Sequence, residues 1–390
     1  MKRILKAGVI SVAIALALPT SLMAKNITTM DDAREELARG VATLAADPAF
    51  DSALREHLAR GKASLGDVLG EVQTPASADT VSHLRDLERK AIDLRGLTGA
   101  LDALIDVRVH GVADNAPLPS ADDLWIGTVS RDPVSGARQV VAFDAVGAEH
   151  RYDLEAMPTV PMLIIESDSS AAVHAGTTVM NEILRQGGVQ SAHRPAGSAL
   201  QAASGSDDSD SKAEQLTLIK RIYLAKDHEP DIQGDAEIFA IVSGVGRDGK
   251  PQLITKDMPW LDHDKHWYTP GMDLINWTDY GTNYVNVQLF EEDGNTDFKA
   301  LAESVLKAVG DLSLLVAPEA PPALIVTGVT KIADEILKAM PGEWFQNAND
   351  YVDSFYVIER GGNYGTEQEP LMGARGEARM VLAPHEVKNR

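Results

Sequence analysis

Cysteine is absent from this 390-residue chain. That excludes disulfides, cysteine nucleophiles and a lipid anchor at a lipoprotein cleavage site. Beyond the first two dozen residues, no apolar run reaches the roughly 20 residues that a membrane-spanning helix needs. Positive charge is scarce: 36 Lys and Arg stand against 58 Asp and Glu, for a formal net charge of −22. That excess argues against nucleic acid and anionic membrane as direct partners. The common catalytic signatures are missing too, with no G-x-S-x-G elbow, no H-E-x-x-H helix and no P-loop. No internal repeat is evident.

What is present begins with an export signal, residues 1–24. Lys2, Arg3 and Lys6 form a basic start, Ala7 to Leu18 is apolar and uncharged, and Pro19 and Ser21 break the run before Leu22-Met23-Ala24. This is the three-part pattern of a cleavable secretory signal, cut near Ala24. The mature chain is therefore expected in the periplasm or secreted, without a transmembrane segment. Its partner is then an extracytoplasmic ligand or protein. Loss of the three basic residues takes the net charge from −22 to −25. An exported chain without disulfides is held by its core or by ions. Its length predicts two or more domains of ordinary size.

Residues 25–98 read as a helical segment. Met30, Ala33, Leu37, Val41 and Leu44 share one helical face, and Thr29 with Asp32 forms a capping pair. Asp47-Pro48 ends that helix. Phe50 to Leu58 and Val81 to Ala91 mark two more. Residues 99–186 read as a small β-domain. Ile105, Val107 and Val109 alternate with polar residues, and β-like runs follow at 124–129, 139–143, 150–154 and 162–166. Residues 187–214, rich in Gly, Ser, Ala and Asp, are expected to be a disordered linker. Residues 215–390 read as a β-sandwich with a helical insertion. Strands are expected at 216–224, 237–243, 284–290 and 351–359, with helices around Phe298–Leu306 and Ile325–Met340. Gly361-Gly362-Asn363-Tyr364-Gly365 follows a strand without a helix behind it, so it reads as a turn rather than a phosphate loop.

Three acidic loops are the most suggestive feature. The first holds Asp227, Asp231 and Asp235, the second runs from Asp257 to Asp264, and the third holds Glu291, Glu292, Asp293 and Asp297. Calcium takes six to eight oxygens, and several acidic loops at one end of a sandwich can supply them. The candidate metal ligands are Asp227, Asp231, Asp235, Glu292, Asp293 and Asp297, and the candidate ion is Ca2+. Neither loop is an EF-hand. Starting from Asp227, the sixth and twelfth positions are Ile232 and Ile238; from Asp293 they are Phe298 and Ser304. The bland reading is that these acids cap turns, and that Asp297 opens the next helix. His263 and His266, with Asp257, Asp262 or Asp264, form a weaker zinc constellation. Trp260, Trp267, Tyr268, Trp277 and Tyr280 either form a platform for sugar or peptide or pin a long loop to the sandwich.

Some of these stretches also resemble a known family. Trp125-Ile-Gly, Val141-Ala-Phe-Asp144-Ala-Val-Gly147 and Pro158 to Ile165 are similar to the N-terminal half of an uncharacterised exported bacterial family, a domain of unknown function. Ile222-Tyr-Leu, Asp227-His-Glu-Pro and Gly234 to Gly244 resemble its C-terminal half. The resemblance implies no catalytic residues. The strand, acidic turn and strand, followed by Phe290-Glu-Glu-Asp-Gly294, are also similar to calcium-dependent C2-like sandwiches, an analogy of fold alone.

The expected class is α+β, with N-terminal helices, a small β-domain and a C-terminal antiparallel β-sandwich carrying a helical insertion. Three functions stand side by side. The leading one is a binding module with acidic, calcium-binding loops. The others are a metal-assisted hydrolase around residues 257–266 and a structural envelope protein without a site.

Overall fold

Thr29 starts the fold as its spacing predicts. Its hydroxyl accepts the Asp32 N–H at 3.1 Å and donates to Asp32 Oδ2 at 2.9 Å, a reciprocal cap that satisfies donors the helix cannot. It opens α1 (Met30–Leu44). Asp47 caps α2 (Pro48–Leu58), with Pro48 in its first turn. The computed structural model describes residues 26–59, 61–113, 116–132, 134–156, 159–190, 214–226, 237–292, 294–310, 312, 320–345 and 351–387. The expected export signal, all but the ends of the expected linker, and the first acidic loop lie outside these residues.

The N-terminal half continues with β1 (Ala63–Ser64), α3 (Leu65–Glu71), α4 (Ala78–Leu94), β2 (Ile105–His110), β3 (Trp125–Arg131), β4 (Arg138–Phe143), β5 (Glu149–Asp153), β6 (Met162–Ser167) and α5 (Ser169–Gln186). The strands form one six-stranded sheet in the order β1-β2-β6-β3-β4-β5. Only the β3–β6 pair runs parallel. Alternation divides its faces. Ile105, Val107, Val141, Phe143, Leu163 and Ile165 face the helices, where Leu37, Val41 and Leu84 are buried with them. Val140, Ala142, Met162 and Ile164 form a smaller cluster on the other face, with Trp125 packed against it.

The C-terminal half holds β7 (Glu214–Leu224), β8 (Glu237–Val245), β9 (Pro251–Met258), β10 (Trp267–Tyr268), β11 (Met272–Asn276), β12 (Tyr284–Glu292), α6 (Phe298–Gly310), α7 (Pro322–Ala339), β13 (Tyr351–Glu359), β14 (Leu371–Met372) and β15 (Ala378–Val387). Two sheets result. One is β10-β7-β15-β14 with β11 also on β7; the other is β13-β12-β8-β9. Ile219, Ile222, Met380 and Leu382 of the first meet Ile238, Ala240, Val242, Val285, Val287 and Leu289 of the second. This is a β-sandwich, and α6 and α7 are its helical insertion.

The second sheet is buried on both sides. Its outward residues Phe239, Ile241 and Phe290 join the core that contains α1, α4, α5, α6 and α7. Two buried amides fix α7 there: Asn286 Nδ2 donates to the Val329 carbonyl at 2.8 Å and Gln288 Nε2 to that of Ala333 at 2.9 Å. One apolar core thus runs from Met30 to Tyr351, across the stretch where the sequence places its linker.

Helix α5 carries no sequence expectation, nor do β9, β11 and β15. Its buried face is Ala172, Val173, Gly176, Thr177, Met180 and Leu184. The face is small because α6 comes close: a Cβ on Gly176 would sit 2.4 Å from the Phe298 ring.

Candidate functional site

The third acidic loop leaves β12 through Glu291 and Glu292, both 2% exposed. Glu292 Oε1 accepts the N–H of Gly294 at 2.7 Å and of Thr296 at 3.3 Å. It also meets Arg95 Nη2 at 3.0 Å, with neither side chain exposed at all. Arg95 follows α4 and reaches the loop with its other donors, Nε to the Thr296 carbonyl at 2.8 Å and Nη1 to that of Gly294 at 3.1 Å. Arg34 of α1 adds Nη1 to the same Gly294 carbonyl at 3.2 Å and Nη2 to Asn295 Oδ1 at 3.0 Å. Carboxylate, carbonyl and amide oxygens are what calcium takes. Here two guanidinium groups take them. Asp297 Oδ1 accepts the Ala300 N–H at 2.9 Å and so opens α6, where its charge suits the helix dipole. Asp227, Asp231, Asp235 and Asp293 lie outside the described residues.

The second acidic loop is divided among local partners. Asp257 Oδ2 lies 2.8 Å from His174 Nδ1 on α5. The Tyr268 hydroxyl donates to Asp262 Oδ1 at 2.7 Å, and its oxygen accepts the His263 N–H at 3.0 Å. Burial, reinforced by the Asp262 carboxylate, pushes the Tyr268 hydroxyl up to about 12. Asp264 pairs with Lys265 at 2.6 Å, and the His266 ring stands edge-on to Tyr268 at 4.7 Å. Among the described residues no group of three or more His, Asp or Glu is gathered to hold a metal ion.

The aromatic stretch pins its loop. Trp277 is 1% exposed and donates Nε1 to Thr217 Oγ1 at 2.9 Å. Tyr280 is buried and donates to the Val242 carbonyl at 3.3 Å. Trp267 and Arg379 flank Tyr223 in cross-strand register. Arg221 lies 4.7 Å over the Trp267 ring, Trp267 is 5.1 Å from Tyr223, and Arg379 lies 5.2 Å over Tyr223. Cation–π contacts of this kind spend the ring faces that a platform would need free.

A set of shifted carboxylates lies on α4 and on strands β2 and β6 of the six-stranded sheet. Burial raises Glu88, Asp106 and Glu166 from their ordinary values. Perturbed groups mark sites when they converge on open space, but these are paired inward. Glu88 accepts the Leu104 and Ile105 N–H groups, Lys62 meets Asp106 at 2.7 Å, and Arg108 grips Glu166 with two bonds of 2.9 Å.

Open space lies at the end of the sandwich. There the start of β7, the end of β15 and the turn after β13 line an open cleft of about 670 Å³, with Trp277 and Asn283 also in its lining. Ligand sites commonly measure about 300–1,000 Å³. In cross-strand register Leu216 faces His385 and Gln215 faces Glu386, and all four line the cleft with Arg360. The turn Glu359 to Gly362 closes through the Gly362 N–H on the Glu359 carbonyl at 3.0 Å. Gly361 takes φ +79°, a left-handed position that glycine adopts without strain. Arg360 is anchored twice, by its N–H to the Asn283 carbonyl at 2.8 Å and by Nε to Gln215 Oε1 at 2.5 Å. Among the described residues no carboxylate pairs with it. The Gly-rich run flagged the turn; nothing in sequence flagged Arg360 or His385, because the cleft forms only where three distant segments meet.

Fold and cleft define an α+β protein with a two-sheet sandwich, a helical layer beneath it and an open polar site at the sandwich end. A family model described as a protein of unknown function, DUF3103, matches residues 34–390, and the chain belongs to that family. Comparison with the curated proteins returns no match.

Proposed function

We propose that this protein acts outside the cytoplasm as a binding module and takes a small polar ligand in the cleft at the sandwich end. One observation carries the reading: a cleft of ligand size lined by the polar residues Gln215, Arg360, His385 and Glu386. The signal-like residues 1–24 support the location. Calcium enters the proposal through Asp227, Asp231, Asp235 and Asp293, because Glu292 and Asp297 already serve Arg95 and α6. Metal-assisted hydrolysis around residues 257–266 gains no support, since the candidate ligands there are divided among local partners.

The test is calorimetric titration of the mature chain with glucose, glucuronate, succinate and leucine. Leu216→Trp, which adds bulk to the lining of the cleft, serves as the blocked control. At least one solute should bind saturably to the natural chain and not to the blocked one. Equal binding to both, or binding of none, would overturn the reading.

A further inference from the structure

The cleft presents opposite charges on either side of one residue. Gln215 holds Arg360 through Nε, leaving both terminal nitrogens of the guanidinium for a ligand. Gln215 also faces Glu386 across the β7–β15 register, and Glu386 is exposed at the mouth. A guanidinium fork held in place by its backbone and its Nε is preorganised for a carboxylate, which it binds through two parallel bonds. Preorganisation matters because ordering a free arginine side chain would consume part of that gain.

An anion alone fits this protein poorly. The formal charge of −22 repels it, and Glu386 would stand beside it. A phosphate dianion fares worse than a carboxylate on both counts. A solute that carries an ammonium as well as a carboxylate avoids this. Its net charge is zero at long range, its carboxylate meets Arg360, and its ammonium meets Glu386.

We infer that the ligand of this cleft is a small zwitterion, with an α-amino acid carboxylate on Arg360 and the ammonium on Glu386. The inference rests on the cleft being the binding site. Free amino acids and the ends of short peptides share this chemistry, and the probes separate them.

Binding of leucine, leucinamide, N-acetylleucine and a leucine dipeptide is measured by calorimetry on the mature chain, Arg360→Ala, Arg360→Lys and Glu386→Gln. Unchanged melting of each variant controls for folding. Leucine should bind about tenfold or more weakly to Arg360→Ala, the order expected for losing a charged hydrogen-bonded partner. Lysine at 360 should restore only part of this, since it keeps the charge and loses the fork. N-acetylleucine should bind weakly to the natural chain and lose nothing further in Glu386→Gln. Leucinamide should bind weakly and be insensitive to Arg360→Ala. A dipeptide that binds as tightly as leucine identifies a free peptide end as an acceptable source. If the capped compounds bind as well as leucine, or if neither variant weakens leucine, the zwitterion is wrong. Binding of glucose that Leu216→Trp blocks and Arg360→Ala does not would overturn the zwitterion and leave the cleft standing. No binding by any probe would end both.

Discussion

Arg95 and Arg360 are the same side chain in opposite circumstances. Arg95 is wholly buried, and four oxygen-bearing groups of one loop, Glu292 among them, are shared between it and Arg34. Arg360 is exposed at a turn and braced by a neutral glutamine, and no carboxylate of the described residues is paired with it. The first closes a region that looks like an ion site in sequence. The second leaves open a region that looks like an ordinary turn. Removing a partner of a buried, satisfied charge costs stability, whereas an exposed charge without a partner remains available to a ligand.

That contrast can be broken by mutation. The largest expected effect is Arg95→Ala, which strands a buried carboxylate and should cost about 3–5 kcal/mol of stability, measured by urea unfolding. A loss under about 1 kcal/mol would mean that the loop finds water instead. Glu292→Ala should destabilise to a similar order, and equally in chelator and in millimolar calcium, because its partner is a guanidinium. A loss confined to calcium-containing buffer would restore Glu292 as an ion ligand.

Asp47 is the intermediate case. Its carboxylate accepts the hydroxyls of Ser77 and Thr74 and the Ala49 N–H, and these hold it down to about 2. A depressed carboxylate contributes stability above its unfolded value of 3.8, and loses that contribution as pH falls toward 2. Asp47→Asn should therefore flatten the fall in urea midpoint between pH 4 and pH 2, a window set by those two values. Parallel curves for the two proteins would sink the assignment. The smallest stability effect is expected at Arg360→Ala, within about 0.5 kcal/mol, as for surface substitutions generally. That near-silence in unfolding, set against a loss of ligand in calorimetry, is the sharpest form of the comparison.

Much of the fold was legible because it is local. The Thr29–Asp32 cap, the alternation at Ile105 to Val109, and the helical stripe from Phe298 to Leu306 are each written within a dozen residues. Helix α5 was not legible. Its inward face sets Ala172, Gly176 and Thr177 among Val173, Met180 and Leu184, and the small residues there read as buried only when Phe298 lies against Gly176. β15 was missed for a related reason. Pro384 and the charged end of the strand weaken its pattern, and its partner β7 is far away in sequence.

By itself the sequence determined the class of elements, the absence of disulfides, the excess of negative charge and the export-like start. These follow from composition and from periodicities of 2 and 3.6 residues, which need no knowledge of distant neighbours. The tertiary structure alone decided which charges are spent. Glu292 meets Arg95, and the Arg360 side chain is braced by Gln215, across separations of 197 and 145 residues along the chain. Ion pairing and cavity shape depend on distances of a few ångströms between groups that the chain itself keeps far apart. The acidic loop and the glycine turn therefore exchanged the roles that their sequences suggested.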